Sequence, residues 1–477
     1  MKQIESMGIL GLGVMGRNLA FNLADKGFTV AAYDPWEEAR SRFATAQVEE
    51  GFAGITLADN PAAFIAALPA PRTILMMVKA GEPVDAAIEQ LLPLLHSGDT
   101  LIDGGNSHYP DTMRREAALR EKGFYFIGLG VSGGEEGARH GPSLMAGGDP
   151  SAYGRVQGML EAMAASYNNK PCCALLGGNG AGHFIKMVHN GIEYGIMQLI
   201  AECYGLLCDL GNLDYPEMAQ VFTDWNRGEL ASYLVEITAD ILNKQDEFSD
   251  APLVEMIMDS AGQKGTGRWT SETALALGIP LPTITESVFA RALAAQKAER
   301  VAAAEVIPGP EQKQSCENVS QLVDEVRDAL LGASVATYAQ GLAVIEAASR
   351  EHGWAVDLAT VAAVWRAGCI IRSSLLDDIM QAYQGDAALN NLMCAKRFVD
   401  ILSRTQHGWR NTVSRAVKHG VPVPALASAL AYLDGYRSAR LPANLIQAQR
   451  DYFGAHTYER TDRPGVFHTK WQETFSE

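Results

Sequence analysis

The sequence has no Cys-x-x-Cys pair and no histidine cluster at zinc-ligand spacing, although it contains seven cysteines and ten histidines. These absences argue against a metal site and predict reduced thiols instead of a disulfide framework. Basic residues are outnumbered, with 39 Lys and Arg against 56 Asp and Glu and a net charge of −17, so no general field attracts nucleic acid or anionic lipid. Apolar runs are shorter than the roughly 18 residues of a membrane-spanning helix. We therefore expect a soluble cytoplasmic protein without metal, nucleic-acid or membrane partners.

The first 178 residues alternate short apolar runs with helical patterns. Such alternation is typical of a mainly parallel sheet covered by helices, which binds ligands at the carboxyl ends of its strands. It predicts a Rossmann-like α/β dinucleotide-binding domain over residues 1–178. The runs predicted as strands are KQIESMGIL, FTVAAY, RTILMMV, DTLID, GFYFIGLGV and PCCALLG.

Beyond residue 178 strand patterns nearly vanish and helical periodicity dominates, which predicts a large all-α domain over residues 179–434. Ala329 to Ala348 and Leu358 to Met380 are examples of its predicted helices. Residues 435–477 lose this periodicity and keep one short helical piece around Ala443 to Tyr452. Because disordered tails are usually poor in aromatic residues and this one is rich in them, we expect it to dock on a folded surface.

A glycine-rich turn follows the first predicted strand. Its spacing is G-x-G-x-x-G, the helical run RNLAFNLADKG comes next, and Asp34 ends the second strand about 20 residues further on. In such a turn the first glycine permits a tight bend, the second lets the backbone approach a pyrophosphate, and the third allows close helix packing. The pattern predicts a dinucleotide site at Gly11, Gly13, Val14, Met15, Gly16 and Asp34.

The carboxylate of Asp34 bears on which nicotinamide cofactor binds. It can accept hydrogen bonds from an unmodified adenosine ribose and would repel a 2′-phosphate, which favours NAD. Arg40 and Arg42 follow one to two helical turns later and remain within reach of such a phosphate. The local pattern therefore favours NAD and leaves NADP open.

The segment 182–197 predicts a buried helix with one narrow polar face. Lys186, His189, Asn190 and Glu193 have the spacing i, i+3, i+4 and i+7, whereas the other faces are apolar. Lysine and glutamate are rarely buried without a partner, and burial shifts the pKa of both toward values suited to acid and base catalysis. We therefore expect this polar face to line a functional site.

Six separated motifs stand out: GLGVMG at 11–16, IDGGNS at 102–107, GVSGGEEGAR at 130–139, GAGHFIKMVHNGIEY at 180–194, AGQKGTGRW at 261–269 and LPANLIQAQRDYFGAHTYER at 441–460. Together they resemble the 6-phosphogluconate dehydrogenase family, decarboxylating enzymes of the pentose phosphate pathway, over essentially the whole chain. The resemblance implies oxidation of 6-phosphogluconate at C3 with reduction of NAD(P), then loss of C1 as carbon dioxide to give ribulose 5-phosphate. It also implies a homodimer formed by the helical domains, in which the tail of each subunit reaches the partner's site.

The resemblance further implies roles for individual residues. Lys186 would accept the C3 hydroxyl proton and return it to the carbonyl oxygen, and Glu193 would protonate C1 of the enediol. The carboxylate and hydroxyls would be held by Asn106, Ser132, Gly133, Gly134, His189 and Asn190. The 6-phosphate would be bound by Tyr194, Lys264, Thr266, Arg291 and Arg450, with Arg450 and His456 acting in trans. Val78, Lys79, Ala80 and Asn106 would complete the cofactor site, and no metal is expected because a β-keto acid decarboxylates readily once its carbonyl is polarised.

One stretch departs from the family pattern. Members that use NADP usually carry Asn-Arg-Ser/Thr after the second strand and bind the 2′-phosphate there, but this chain reads Asp34-Pro35-Trp36. NADP is thus expected from the resemblance, whereas Asp34 and Pro35 favour NAD.

Two other functions compete with this interpretation. A smaller β-hydroxyacid dehydrogenase, related to 3-hydroxyisobutyrate dehydrogenase and acting on an unphosphorylated hydroxyacid, shares the GLGxMG turn, the Ser-Gly-Gly loop and a Lys-xxx-Asn helix. Such enzymes need neither the long helical extension nor the phosphate ligands. A dinucleotide-sensing interaction protein would keep the glycine turn and lose the polar helix face, so Lys186 and Glu193 oppose it.

Overall fold

A computed structural model describes residues 6–52, 54–310 and 316–471, so residues 2–5 of the first predicted strand lie outside the described residues. The chain divides into two compact units, Met1–Ala429 and Leu430–Glu477. The strands of the described residues are β1 (Ser6–Leu10), β2 (Thr29–Tyr33), β3 (Ile55–Leu57), β4 (Thr73–Met76), β5 (Thr100–Asp103), β6 (Tyr125–Ser132), β7 (Ser143–Gly148), β8 (Ser166–Tyr167), β9 (Lys170–Pro171), β10 (Cys173–Leu175), β11 (Tyr458–Glu459) and β12 (Val466–Phe467).

Helices cover the sheet and then make up most of the chain after residue 180. They are α1 (Val14–Asp25), α2 (Glu37–Glu49), α3 (Pro61–Ala66), α4 (Glu82–Leu91), α5 (Tyr109–Glu121), α6 (Gly134–His140), α7 (Pro150–Met163), α8 (Ala181–Asp209), α9 (Tyr215–Trp225), α10 (Tyr233–Asn243), α11 (Leu253–Met256), α12 (Thr266–Leu277), α13 (Pro282–Ala295), α14 (Lys297–Val306), α15 (Val319–His352), α16 (Leu358–Val364), α17 (Leu375–Gly385), α18 (Lys396–His419), α19 (Pro424–Tyr436) and α20 (Ala443–Gly454).

The eight-stranded sheet of the first unit has the order β10-β7-β6-β5-β4-β1-β2-β3. Its neighbouring strands are parallel except β6 and β7, which are antiparallel. β1 lies between β2 and β4, where the strand order reverses, so the turn from β1 to α1 opens at the edge where such sheets bind ligands. The predicted Rossmann-like α/β domain followed by an all-α region is confirmed.

Alternate residues of β1, β2, β4, β5 and β6 enter separate apolar cores on the two faces of the sheet. Ile9 packs in one cluster with Phe21 of α1 and Leu160 of α7, whereas Leu10 packs in the other with Phe64 of α3. A sheet covered on both faces needs apolar side chains at successive positions, which is why its strands appear as continuous apolar runs in the sequence.

The continuous helix predicted from Leu358 to Met380 is wrong at its centre. α16 ends at Val364 and α17 begins at Leu375, and the intervening segment turns at Gly368, whose φ is 67°. The carbonyl of Gly368 accepts a hydrogen bond from the Ser143 N–H at 2.8 Å. Long-range pairing with the start of β7 therefore overrides the local helical pattern.

Among the described residues, one helix, α15, is long and apolar enough to cross a membrane by length and composition. Of its most apolar window, 89% is buried inside the fold. α15 packs against α8, where the lack of a side chain at Gly341 admits the side chain of Ile192. Its apolar character is thus explained by its place at the centre of the helical region, behind α8.

The second unit contains α20 and the β11–β12 hairpin, arranged around the buried carboxylate of Asp451. Oδ1 accepts a hydrogen bond from the Thr457 N–H at 3.0 Å and lies 2.9 Å from His468 Nδ1. Oδ2 accepts from the Thr469 N–H at 3.0 Å and from the Trp471 indole at 2.8 Å. Burial alone would raise the pKa of Asp451, but the hydrogen bonds from Thr469, His468 and Trp471 lower it to about 2, so the carboxylate stays ionised and holds α20 to the hairpin.

Candidate active site

The polar face predicted on α8 is enclosed by the fold. Lys186 and His189 are buried, with 6% and 0% of their surface exposed, and Asn190 and Glu193 are partly buried. The Lys186 amine donates a hydrogen bond to Asn190 Oδ1 at 2.8 Å and lies 3.4 Å from His189 Nδ1. His189 Nδ1 also lies 4.0 Å from Glu193 Oε2. The four side chains therefore form one connected polar cluster.

A glycine on the neighbouring strand permits this arrangement. A Cβ at Gly130 of β6 would lie 2.4 Å from the Lys186 Cβ, so only glycine lets α8 approach β6 this closely. The carboxyl end of β6 then brings Ser132 beside the cluster, with its hydroxyl 3.3 Å from His189 Nε2. Gly133 and Gly134 follow at positive φ angles of 122° and 62° and lead the chain into α6.

Burial changes the ionisation of the cluster. It lowers the pKa of Lys186 to about 8, although the charge of Glu193 acts in the opposite direction. It raises the pKa of Glu193, against the effect of Lys186, and it lowers the pKa of His189 well below the usual range. Near neutral pH Lys186 is thus still mainly an ammonium, but with a far larger neutral fraction than an exposed lysine, and His189 is neutral. The neutral amine is the form that accepts a proton.

A second group of residues lies toward the carboxyl end of the polar face. Asn190 Nδ2 donates to the Thr266 hydroxyl at 3.3 Å, and the Lys264 N–H donates to the Tyr194 hydroxyl at 3.4 Å. The Arg291 guanidinium lies 3.5 Å from the centroid of the Tyr194 ring, and burial lowers its pKa. The structure therefore brings the Arg291 guanidinium, the hydroxyls of Tyr194 and Thr266 and the backbone of Lys264 to this end of the face. Cations and hydroxyl groups are donors that suit a phosphate.

The glycine turn has the geometry of a dinucleotide site. Gly11 has a φ of 96°, and a Cβ there would lie 2.6 Å from the Met77 carbonyl. A Cβ at Gly16 would lie 1.9 Å from the Gly11 carbonyl, so the helix can begin only with glycine at that position. A Cβ at Gly13 would meet nothing within 4 Å, so the turn is open where a pyrophosphate would approach the start of α1.

Asp34 is held at the end of β2 by the backbone of this turn. Its Oδ2 accepts the Leu12 N–H at 2.7 Å, and its Oδ1 accepts the Trp36 N–H at 2.9 Å. Arg40 donates through Nη1 to the carbonyls of Asp34 and Pro35, at 2.8 and 3.2 Å. The carboxylate is therefore fixed in place, and the nearest predicted cation is engaged with the backbone.

Two cavities extend from the glycine turn along the carboxyl edge of the sheet. One, of about 670 Å³, is lined by the apolar side chains of Pro35, Trp36 and Val78 together with Asp34. The other, of about 680 Å³, shares Gly13, Val78 and Lys79 with the first and extends to the loop after β5, and it brings together most of the remaining cofactor residues. Its lining includes Gly13, Val14, Met15, Gly16, Val78, Lys79, Ala80, Asn106 and Lys264.

Two further predicted site residues lie in the tail. Arg450 and His456 are exposed in the second unit, where the Arg450 guanidinium donates to Gln447 Oε1 at 3.0 Å. The seven cysteines all lie within the described residues and form no disulfide. In that part of the chain no group of three or more His, Cys, Asp and Glu side chains could hold a metal ion.

Comparisons with known proteins match nearly the whole chain. A family model described as the NAD binding domain of 6-phosphogluconate dehydrogenase matches residues 6–177, and one described as the C-terminal domain of that enzyme matches residues 182–471. The NADP(+)-dependent, decarboxylating 6-phosphogluconate dehydrogenase of Bacillus subtilis is 50% identical over 469 residues, with 98% of this chain and 99% of that protein covered. The decarboxylating enzyme of Escherichia coli is 49% identical over 478 residues, covering 98% and 99%.

A solved structure of the same enzyme from another organism has a similar fold. The 6-phosphogluconate dehydrogenase of Plasmodium falciparum, determined in its apo form, with NADP+ and with 6-phosphogluconate, superposes with a TM-score of 0.93 at 39% identity, covering 98% of this chain and 100% of that one. The chain belongs to the 6-phosphogluconate dehydrogenase family.

Membership of the 6-phosphogluconate dehydrogenase family confirms the resemblance seen in the six motifs, and with it an oxidoreductase that has an NAD(P)-binding domain. The smaller β-hydroxyacid dehydrogenase is not favoured, because the family match includes the long helical extension and reaches residue 471.

One residue that lines the site was missed by the sequence interpretation. Trp269 lies in the same cavity as Lys264, and its ring stacks on His108, with centroids 4.7 Å apart. The available signal was helical spacing: Trp269 follows Thr266 by three residues at the start of α12, so the two share a helix face.

Proposed function

We propose that this protein catalyses the oxidative decarboxylation of 6-phosphogluconate to ribulose 5-phosphate and carbon dioxide, with reduction of NAD(P). The observation that carries the proposal is the enclosed polar face of α8, where a lysine of lowered pKa is followed by the phosphate-binding group of Tyr194, Lys264 and Arg291. A sugar acid with a phosphate at one end fits this order of side chains.

Oxidation starts at Lys186. Its neutral amine, held by Asn190 Oδ1 at 2.8 Å, accepts the proton of the C3 hydroxyl. A bound nicotinamide cofactor would supply the acceptor for the hydride that leaves C3. The substrate is then a 3-keto acid, and Lys186 is an ammonium beside the new carbonyl oxygen.

Decarboxylation uses the same ammonium. As the C1–C2 bond breaks and carbon dioxide leaves, the electron pair moves toward the C3 oxygen, and Lys186 returns its proton there. Glu193, whose pKa is raised by burial, then donates a proton to the enediol carbon that becomes C1 of ribulose 5-phosphate, while the neutral Lys186 accepts the proton of the enediol hydroxyl at the former C3 and the ketone forms there. Because Lys186 polarises the carbonyl, this mechanism assigns no role to a metal.

Substrate binding is assigned to two groups of residues. The carboxylate and hydroxyls would contact Asn106, Ser132, Gly133, Gly134, His189 and Asn190. The 6-phosphate would contact Tyr194, Lys264, Thr266 and Arg291, together with Arg450 and His456 of the tail.

For the cofactor we propose a preference for NAD over NADP. The fixed carboxylate of Asp34 would accept a ribose hydroxyl and repel a 2′-phosphate, Pro35 supplies no cation, and Arg40 Nη1 is bound to backbone carbonyls. Val78, Lys79 and Ala80 would contact the cofactor on the other side of the glycine turn.

A steady-state assay with 6-phosphogluconate and each cofactor tests the reaction directly. Reduced nicotinamide and carbon dioxide, measured together, should form in a one-to-one ratio. Gluconate, the matched substrate without the phosphate, should show a kcat/KM at least about 100-fold lower, because the cations assigned to the phosphate lose their partner. Faster turnover of an unphosphorylated hydroxyacid, or reduced nicotinamide without carbon dioxide, would contradict the proposal.

We also propose a cytoplasmic homodimer with exchanged tails. Residues 1–178 would bind the dinucleotide, 179–434 would form the substrate and dimerisation domain, and 435–477 would enter the partner's site. Two features of the tail support this: the hydrogen bonds of Asp451 give it an internal framework, and Leu445, Ile446 and Phe453 expose 60 to 73% of their surface.

Mixed dimers test the exchanged tail. Chains carrying Lys186→Ala or Arg450→Ala alone should form dimers with little activity. When the two are co-expressed, half of the dimers are mixed, and one site in each combines an intact Lys186 with an intact Arg450 from the partner chain. Activity should therefore recover to about a quarter of the wild-type value for random pairing.

Co-expression of Lys186→Ala with Glu193→Gln is the matched control. Both changes lie on α8, so every active site of a mixed dimer contains one of the two substitutions. This pair should stay inactive. Absence of recovery in the first pair, with mixed dimers verified by mass spectrometry, would place the tail in the site of its own chain.

A further inference from the structure

A buried arginine outside the polar face of α8 connects the loops that line the cofactor cavity. Arg115 lies on α5 and has 2% of its surface exposed. Its Nε donates to Asp85 Oδ1 at 2.9 Å, and its Nη2 donates to Asp85 Oδ2 at 2.7 Å and to the Gly81 carbonyl at 2.9 Å. This guanidinium therefore holds both the end of the loop after β4 and the first turn of α4.

The third nitrogen of the same guanidinium faces the loop after β5. Nη1 lies 3.7 Å from Asp103 Oδ2 and has no hydrogen-bond partner among the described residues. Asp103 has no exposed surface, and its carboxylate accepts the Gly105 N–H at 3.1 Å and the Ser107 hydroxyl at 2.6 Å. Asn106 is thus carried by a loop whose two flanking residues are tied to Asp103.

Both loops form the wall of one cavity. Val78, Lys79 and Ala80 come from the first, and Gly104, Gly105 and Asn106 come from the second. A Cβ at Gly105 would lie 2.9 Å from the Val78 carbonyl, so the loops pack directly against each other. Their relative position determines the shape of the cavity, and Arg115 contacts Gly81 at the end of the first loop and faces Asp103 at the start of the second.

The same helix also reaches α8. Thr112, one turn before Arg115, has its hydroxyl 2.7 Å from Nδ1 of the buried His183, which lies one turn before Lys186. α5 is therefore connected to the cofactor loops through one buried side chain and to the catalytic helix through another.

We infer that Arg115 is a positioning residue for the nicotinamide cofactor, which holds the loops after β4 and β5 in the arrangement that binds the dinucleotide next to Lys186. The inference rests on the proposed function for the identity of the cofactor. A planar guanidinium suits this role because it presents donors in three fixed directions, which an ammonium does not.

The chain offers a matched control in the adjacent residue. Arg114 also donates to Asp85, at 2.9 and 3.0 Å, but its side chain is 57% exposed, and its other ion pair is with Asp111 on its own helix. The Arg115 hydrogen bond is the largest cause of the lowering of the Asp85 pKa to about 2, and the Arg114 bond is a smaller one. Arg114→Met thus removes a cation from the same carboxylate without releasing either loop.

The experiment compares Arg115→Met, Arg115→Lys and Arg114→Met in the full-length enzyme. Binding of NAD and NADP is titrated without substrate, and KM for each cofactor, KM for 6-phosphogluconate, kcat and Tm are measured. In Arg115→Met the cofactor Kd and KM should rise by about tenfold or more, because a small displacement of binding groups has a large effect, while KM for 6-phosphogluconate, whose proposed ligands include only Asn106 from these loops, should rise by a smaller factor. Arg115→Lys should show an intermediate effect and Arg114→Met less than about a twofold change.

A purely structural role would lower Tm and the active fraction and leave the cofactor Kd unchanged. An unchanged cofactor Kd in folded Arg115→Met would overturn the inference. If the methionine variant does not fold, an unchanged cofactor Kd in Arg115→Lys would overturn it. Equal cofactor effects in the Arg114 and Arg115 variants would also overturn it. The cofactor titration needs no turnover, so it remains decisive even if the wild-type protein fails to oxidise 6-phosphogluconate.

Discussion

Replacement of Lys186 by alanine is expected to lower kcat with 6-phosphogluconate by about a thousandfold or more, because one change removes both the base of the first step and the acid of the second. The buried amine is held at 2.8 Å from Asn190 Oδ1 and has a pKa of about 8. The glycine turn and the two cavities beside it are left intact, so cofactor binding should persist.

Formation of reduced nicotinamide and titration of the cofactor measure these two outcomes separately. Lys186→Arg should be equally inactive, since a guanidinium stays protonated and cannot accept the C3 proton. Lys418→Ala removes an exposed lysine from the last turn of α18 and should change kcat by less than about twofold. Turnover by Lys186→Ala at more than a tenth of the wild-type rate would show that another group is the base.

The pH profile of the wild-type enzyme checks the same assignment. Only the neutral amine accepts a proton, and burial lowers the pKa of Lys186 to about 8. We therefore expect kcat/KM to rise with pH and to level off above that value. A profile that stays flat between about pH 6 and 9 would be incompatible with Lys186 as the base.

The second large effect concerns the cofactor. The wild-type protein should use NAD with a higher kcat/KM than NADP, and the double variant Asp34→Asn, Pro35→Arg should shift this ratio toward NADP by about 100-fold or more. Unit charges about 4 Å apart interact by about 4 kcal/mol at an effective dielectric constant of 20, and each 1.4 kcal/mol is a factor of ten in an equilibrium constant. The double variant removes a repulsion and adds an attraction, so the ratio of kcat/KM for NADP to that for NAD should change by more than two factors of ten.

The structure explains why Asp34 should determine the preference between NAD and NADP. Its two oxygens are fixed by the Leu12 and Trp36 N–H groups, so the carboxylate cannot turn away from a 2′-phosphate. The isosteric Asp34→Asn variant measures the effect of the lost repulsion alone, without the effect of the cation added at position 35. KM for 6-phosphogluconate should remain unchanged in all variants. A wild-type ratio above about ten in favour of NADP would refute the argument from Asp34.

The sheet could be predicted because its strands are buried on both faces. Continuous apolar runs located β1, β2, β4, β5, β6 and β10. β3 has only three residues, and β7 ends in Gly147 and Gly148 and pairs antiparallel to β6, so neither has a local pattern that distinguishes it from a loop. The interruption between α16 and α17 was equally invisible, because its cause is a hydrogen bond to Ser143, far away in the chain.

The amino-acid order alone determined the chemistry of the site: helical spacing places Lys186, His189, Asn190 and Glu193 on one face, and this depends only on positions a few residues apart. The tertiary structure decided what surrounds that face. Ser132 comes from 57 residues before His189, and Thr266 comes from 76 residues after Asn190. Such distant groups meet only when the whole core packs, because the approach of α8 to β6 depends on the missing side chain at Gly130, which no local pattern relates to Lys186.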